Sequence, residues 1–258
     1  MKNLLLLSSL VAFSACTVPQ TKPPKTIRID VPNHTGYTPP INNTRYEIPT
    51  NTDFSVVDAN HNTLLTRGRE TLSDGKAKEA ILNYFNPIIR DYEKNYASSR
   101  QRIFTARTQK EHDAYSRSTR NAKVLSKTWS EAYYLKAYAL LELKELQQSE
   151  IAVGKALKLA PSNSKYLSEV AHLYQLKKEF RRALKSYSFA EKSANLYTPK
   201  SLHKKELLRA KRGMAYNLIE LRELDRAKKI YKDILKILPR DKIALKELKY
   251  IDELKKRR

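Results

Sequence analysis

Residues 130–163 read SEAYYLKAYALLELKELQQSEIAVGKALKLAPSN, and residues 164–195 read SKYLSEVAHLYQLKKEFRRALKSYSFAEKSAN. Laid one over the other, the two stretches coincide at their small and bulky positions. Ala137 falls on Ala171, Leu146 on Phe180, Ser149 on Ala183, Val153 on Tyr187 and Ala156 on Ala190, each pair 34 residues apart. A step of 44 from the second set reaches Ala215, Leu224, Ala227, Tyr231 and Ile234, so a third copy follows a ten-residue insertion. Pro161 and Pro239 stand at the same place in the first and third copies, where the second has Asn195. A fixed period with apolar residues three and four apart is the mark of stacked helical pairs.

The spacing has a packing reason. Small side chains facing each other let two helices approach backbone to backbone, a neighbouring ring fills the gap beside them, and proline stops the second helix before the next pair begins. The pattern resembles the tetratricopeptide repeat, with a small residue at position 8, a bulky one at 17, alanine at 20, an aromatic at 24, a small residue at 27 and proline near 32. The resemblance implies an all-α fold: a right-handed α-solenoid of helix-turn-helix repeats at 130–163, 164–197 and 208–241. A divergent copy lies at 61–94, where Gly68 takes position 8, Ala80 position 20 and Tyr84 position 24. Pro87 stands at position 27 of that copy, inside the second helix, and predicts a bend or break there. Residues 241–258 are amphipathic through Ile243, Leu245, Leu248, Ile251 and Leu254 and end in a basic tail, which suits a helix capping the open end of the stack. Between the divergent copy and residue 130, the basic segment 95–129 reads as a degenerate repeat or one long helix, completing an N-terminal helical region at 58–129.

The chain begins differently. Met1, Lys2 and Asn3 precede an apolar run from Leu4 to Phe13, the length of a secretory signal core and about half of what a membrane span needs. Ser14 and Ala15 are small, and Cys16 is the only cysteine among 258 residues, so it has no disulfide partner within the chain. The stretch FSAC resembles the lipobox of bacterial lipoproteins, with Phe13 where leucine is commonest. That resemblance implies a signal peptide at 1–15, acylation (palmitate) on Cys16, a lipid-anchored protein facing the periplasm and, because Thr17 replaces the aspartate of inner-membrane members, the outer membrane. An ordinary signal peptide cleaved near Ala15 is the alternative. Seven of the eleven prolines lie before residue 50, so residues 16–57 read as a lipidated cysteine and a disordered tether that forms no core.

Fifty Lys and Arg against 27 Asp and Glu give a formal charge of +23, and the first fifteen residues carry only Lys2, leaving 23 − 1 = +22 after them. Such a field favours an anionic surface: nucleic acid, glycolipid, phospholipid or an acidic protein. The same charge also suits a solvated lysine-rich helix face. The five histidines have no metal-binding spacing, no phosphate loop or nucleophile motif occurs, and Glu111-His112-Asp113 reads as a solvated stretch of helix surface. Neither metal nor cofactor nor catalysis is indicated.

In the repeat family the first helices line a concave face that meets the ligand at positions 2, 5, 9, 12 and 13. Carried onto this chain, the resemblance nominates Glu131, Tyr134 and Tyr138 in the first full copy, Lys165 and His172 in the second, and Arg209, Arg212 and Tyr216 in the third. The rings would supply contact area and the cations would fix acidic groups of a bound peptide. The lysine and asparagine pair of carboxylate-clamping members is absent. The resemblance implies a non-enzymatic scaffold that binds envelope-assembly proteins, for instance in a tight-adherence (Flp) pilus or a secretion system. An adaptor for periplasmic proteases or peptidoglycan enzymes, and an electrostatic binder of nucleic acid or glycolipid, remain alternatives.

Overall fold

In the computed structural model, residues 56–256 are described. The signal peptide, Cys16 and the tether up to residue 55 lie outside the described residues, and the last two positions assigned to the tether, 56 and 57, open a helix. Each copy of the repeat folds as a helical pair: α1 (Val56–Ser73) with the segment α2 (Ala77–Ala80) to α3 (Asn86–Tyr96), then α5 (Thr128–Glu142) with α6 (Leu146–Leu159), α7 (Ser164–Leu176) with α8 (Phe180–Tyr197), and α9 (Lys200–Glu220) with α10 (Leu224–Ile237). A final helix, α11 (Lys242–Lys256), covers the last pair. The fold is an α-solenoid of helix-turn-helix repeats closed by a C-terminal helix.

The turn inside each pair repeats to the residue. Gly75, Lys144, Lys178 and Arg222 all have φ between 59° and 76°, the left-handed region, and each is residue 15 of its copy. The residue after each donates its N–H five residues back, Glu145 to Leu140 O, Glu179 to Tyr174 O and Glu223 to Leu218 O at 2.8 Å, and Lys76 to Thr71 O at 3.1 Å. This closes the orphan carbonyls at the end of the first helix. Only the divergent copy uses glycine there. The other three hold a lysine or arginine against a local preference of roughly 1–2 kcal/mol, offset by the packing on either side.

Packing follows the small residues. Ala137, Ala171 and Ala215 at position 8, and Ala183 and Ala227 at position 20, are fully buried. In the divergent copy, a Cβ added at Gly68 would lie 2.6 Å from the Phe85 ring and 2.9 Å from Tyr84 Cβ. The ring can shift, but Tyr84 Cβ is fixed to its backbone. Gly68→Ala is therefore expected to lower stability by about 1–2 kcal/mol in urea unfolding, although alanine is the better helix former.

Pro87 does not break its helix. Residues Ile81–Phe85 form a wide π turn, in which the Asn86 N–H reaches the Ile81 carbonyl. The shift in hydrogen-bond register just ahead of Pro87 absorbs the donor that proline lacks. The ten-residue insertion before the third full copy does not form a loop either. It lengthens α9 to 21 residues by extending its N-terminus. In α11, Ala244 and Ile251 are fully buried, while Ile243 and Leu245, expected inward, are about half exposed.

The segment 95–129 corrects both expectations held for it. It is neither a repeat nor one helix but a β-α-β unit: β1 (Arg102–Ala106), α4 (Gln109–Ser118) and β2 (Ala122–Ser126). The strands pair in parallel with Phe104 opposite Val124. Phe104 stacks on Tyr115 of α4 at 5.1 Å, and Thr108 caps α4 by accepting the Glu111 N–H at 3.1 Å. The unit docks on the solenoid where first helices begin. Thr105 donates to Ser130 Oγ, Tyr115 Oη accepts the Ser162 N–H, and Thr108 donates to the Tyr197 carbonyl.

Candidate functional site

The nominated positions fall into two groups once the first helices α1, α5, α7, α9 and α11 stand side by side. One group ties neighbouring helices together. Glu131 of α5, 4% exposed, accepts from Arg69 Nη2 of α1 at 2.7 Å, from Lys165 Nζ of α7 at 2.6 and 2.7 Å, and from the Tyr166 hydroxyl at 2.9 Å. Burial alone would raise its pKa, yet the charge of Lys165 with its hydrogen bonds, then Arg69 and Tyr166, hold the carboxyl at about 2. Lys165 also lies 4.3 Å from the centre of the Tyr134 ring, which stacks on Tyr166.

The relay continues along the stack. Glu169 of α7 accepts from Arg209 of α9 at 2.7 Å and faces the His172 ring at 3.5 Å. Burial works against its charge, but His172 and Arg209 outweigh burial and hold Glu169 below the usual carboxylate range. Arg212 pairs with Asp241, which also caps α11 by accepting the Ala244 N–H at 2.8 Å. Glu131, Lys165, Arg209 and Arg212 are therefore spent on one another's helices. The cations expected to meet acidic groups of a ligand are thus already paired with carboxylates of neighbouring helices.

The second group is open to solvent. Tyr138 is 44% exposed and Tyr216 39% exposed, and Tyr250 of α11, not nominated from the sequence, is 47% exposed. With His172, half-exposed on α7, these residues occupy the same place on four consecutive inner helices. Tyr250 lies 34 residues beyond Tyr216, the period of the repeat, and that spacing was the signal for it. The reading of 241–258 as only a cap hid it. The Tyr216 hydroxyl is held above its ordinary pKa by partial burial and by the nearby carboxylates Glu220 and Glu247. Two carboxylates, Glu220 and Glu247, therefore stand beside the rings at the C-terminal end of the ladder, with the exposed Lys246 one turn before Tyr250.

A third cluster corrects the reading of Glu111 as solvated. Its side chain is fully buried and accepts from the Arg107 N–H at 2.6 Å and from the guanidinium at 3.1 and 3.3 Å. Arg107 reaches on to Glu206 of α9 at 2.8 Å, and Thr198 donates to the same carboxylate at 2.7 Å. Desolvation opposes the Arg107 charge, but Glu111 and Glu206 outweigh it and hold the guanidinium more firmly protonated than usual. The two departures from the repeat, the β-α-β unit and the lengthened α9, meet at this arginine. Thr108-x-x-Glu111 has the form of a helix-capping signal and marked the start of α4 in the sequence.

No protein family's sequence pattern matches the chain, and no curated protein matches it in sequence. Its fold is shared with solved structures. PilF of Pseudomonas aeruginosa superposes over 79% of this chain and 72% of its own, with a TM-score of 0.55 and 12% identity. MamA covers 70% of this chain and 82% of its own, with a TM-score of 0.45 and 18% identity. The likeness to PilF is one of backbone architecture, the tetratricopeptide solenoid.

Proposed function

We propose that this chain is a non-enzymatic adaptor that holds a segment of a protein partner along the Tyr138, His172, Tyr216 and Tyr250 ladder. The observation that supports this most directly is the ladder's exposure beside a face whose own charges are already paired. Rigid aromatic rings give contact area at small entropic expense, and recognition there would come from shape and apolar contact. Near Tyr216 and Tyr250 the carboxylates Glu220 and Glu247 favour a basic side chain on the ligand. The relay of ion pairs between inner helices keeps the groove formed before the partner arrives, which limits the ordering cost of binding.

The lipobox-like FSAC supports mooring of this adaptor to the outer membrane through Cys16, facing the periplasm. Two or more acyl chains anchor stably where one is marginal. The size, the anchor and the repeats suit assembly of an envelope machine, a tight-adherence pilus or secretion system first among them. The test is a crosslinking pull-down from membranes with the full chain. Tyr138→Ala with Tyr216→Ala is expected to lose the partner by tenfold or more while the circular dichroism spectrum stays that of the parent chain, since both rings lie at the surface, 44% and 39% exposed. Recovery of every partner by that double variant sinks the groove reading. In the same cells, Cys16→Ser is expected to abolish labelling by a palmitate analogue and to release the protein from the membrane.

A further inference from the structure

The side of the second and third full pairs that faces away from the ladder carries a groove of its own. Arg181, Leu184, Lys185, Ser188, Phe189 and Lys192 form one wall, and their spacing of three and four residues places them in one stripe down α8. Met214 of α9, Leu221 just past its end and Arg226 of α10 form the other wall. Met214 and Tyr216 are two residues apart on one helix and so point roughly 200° apart, which puts this groove and the tyrosine ladder on opposite sides.

Charge and apolar surface are layered here. Leu184 and Phe189 are half-buried and continuous with the core, while Arg181, Lys185 and Lys192 stand exposed above them. Arg226 is held by Glu223, the carboxylate on the groove wall. Among the described residues no carboxylate pairs with Arg181 or Lys185, and Lys192 leans over the Phe189 ring at 6.0 Å. Nearby, Lys177 has Glu150 and Arg182 has Glu179, while the exposed Lys178 of the turn has no carboxylate partner among the described residues.

We infer that this groove docks an acidic amphipathic segment of a protein partner, its apolar side chains entering between α8 and α9 and its carboxylates meeting Arg181, Lys185 and Lys192. Charge complementarity selects the sign, and the recessed floor selects the shape. A flat bilayer reaches the cations but not Leu184 or Met214 beneath them. A nucleic-acid backbone satisfies the cations and leaves the apolar floor uncovered. With the ladder on one side and this groove on the other, the solenoid holds two partners at once.

The test measures binding of a fluorescein-labelled peptide of leucine and glutamate, arranged to give one apolar helical face, to the full chain in detergent. Its control is a shuffled peptide of the same composition without that face. The amphipathic peptide is expected to bind at least roughly tenfold more tightly than the shuffled one, and Arg181→Glu with Lys185→Glu to weaken it by a similar factor. Both residues are exposed, so circular dichroism of that variant is expected to match the parent chain. Tyr138→Ala with Tyr216→Ala is expected to leave this affinity unchanged, which separates the groove from the ladder. Failure of the amphipathic peptide to bind, equal binding of the shuffled peptide, indifference to the charge reversal, or displacement of the peptide by phosphatidylglycerol vesicles or single-stranded DNA would each overturn the inference.

Discussion

Arg107→Ala is expected to lower stability by about 3–5 kcal/mol, the range for removing one partner of a buried ion cluster. The guanidinium is 5% exposed and sits between Glu111, fully buried, and Glu206, 7% exposed. Without it, two carboxylates face each other out of water. Glu111 keeps the Arg107 backbone N–H and Glu206 keeps the Thr198 hydroxyl, neither of which neutralises a charge. The sign with pH follows. In the variant Glu111, already raised by burial, loses the Arg107 charge that lowers it, so the folded state binds more protons and stability recovers as pH falls towards 5. Urea unfolding at pH 7.5 and pH 5 reads both effects. Adding Glu206→Gln to Arg107→Ala is expected to restore part of the loss, because it removes one of the stranded charges. A deficit under 1 kcal/mol at pH 7.5 would show that the β-α-β unit is not held by this cluster.

Glu131→Ala is expected to lose a similar amount. Its carboxylate serves Arg69, Lys165 and Tyr166 from one buried point, and its removal strands the Lys165 ammonium with Arg69 close by. Lys165 is itself pushed below its usual pKa by burial, which Glu131 only partly offsets. The carboxylate gains more than the ammonium because it has three donors and the ammonium has one carboxylate. A folded pKa of about 2 against an ordinary 4.5 makes Glu131 a source of about 3 kcal/mol that is fully present above pH 5 and lost as pH falls towards 2. Glu169, also held low, adds to the same acid limb, while Glu111, raised by burial despite Arg107, opposes it. Glu131→Gln keeps the shape and removes the charge. It is expected to flatten the fall in melting temperature between pH 5 and pH 3, and an unchanged acid limb in that variant would count against the assignment.

The split between paired charges and open rings on the inner face has one origin. Positions 2 and 5 of the repeat, which include Glu131, Tyr134, Lys165, Arg209 and Arg212, were read from the sequence as facing a ligand. In three dimensions the same positions of adjacent copies also face each other. A residue 34 positions away along the chain becomes the nearest neighbour, as Glu131 and Lys165 do. Opposite charges on those neighbours pair before any ligand arrives. Position 9 points further into the open face, so its rings stay exposed.

The sequence by itself determined the repeat. Small residues at positions 8 and 20, a ring at position 24 in the second and third copies and proline at 32 in the first and third can be counted along the chain, because each recurs at a fixed step. It also carried the apolar leader, the lone Cys16 and the excess of lysine. Only the tertiary structure decided what happens between pairs. The β-α-β unit at 102–126 rests on two five-residue strands that find each other across a helix, and neither is long enough for its alternation to stand out from the helical pattern around it. Arg107, Glu111 and Glu206 lie up to 99 residues apart along the chain, so no local period announces their meeting. Local spacing fixes which helices form, but the pairing of charges between helices depends on where the stack brings them, and that is settled by packing.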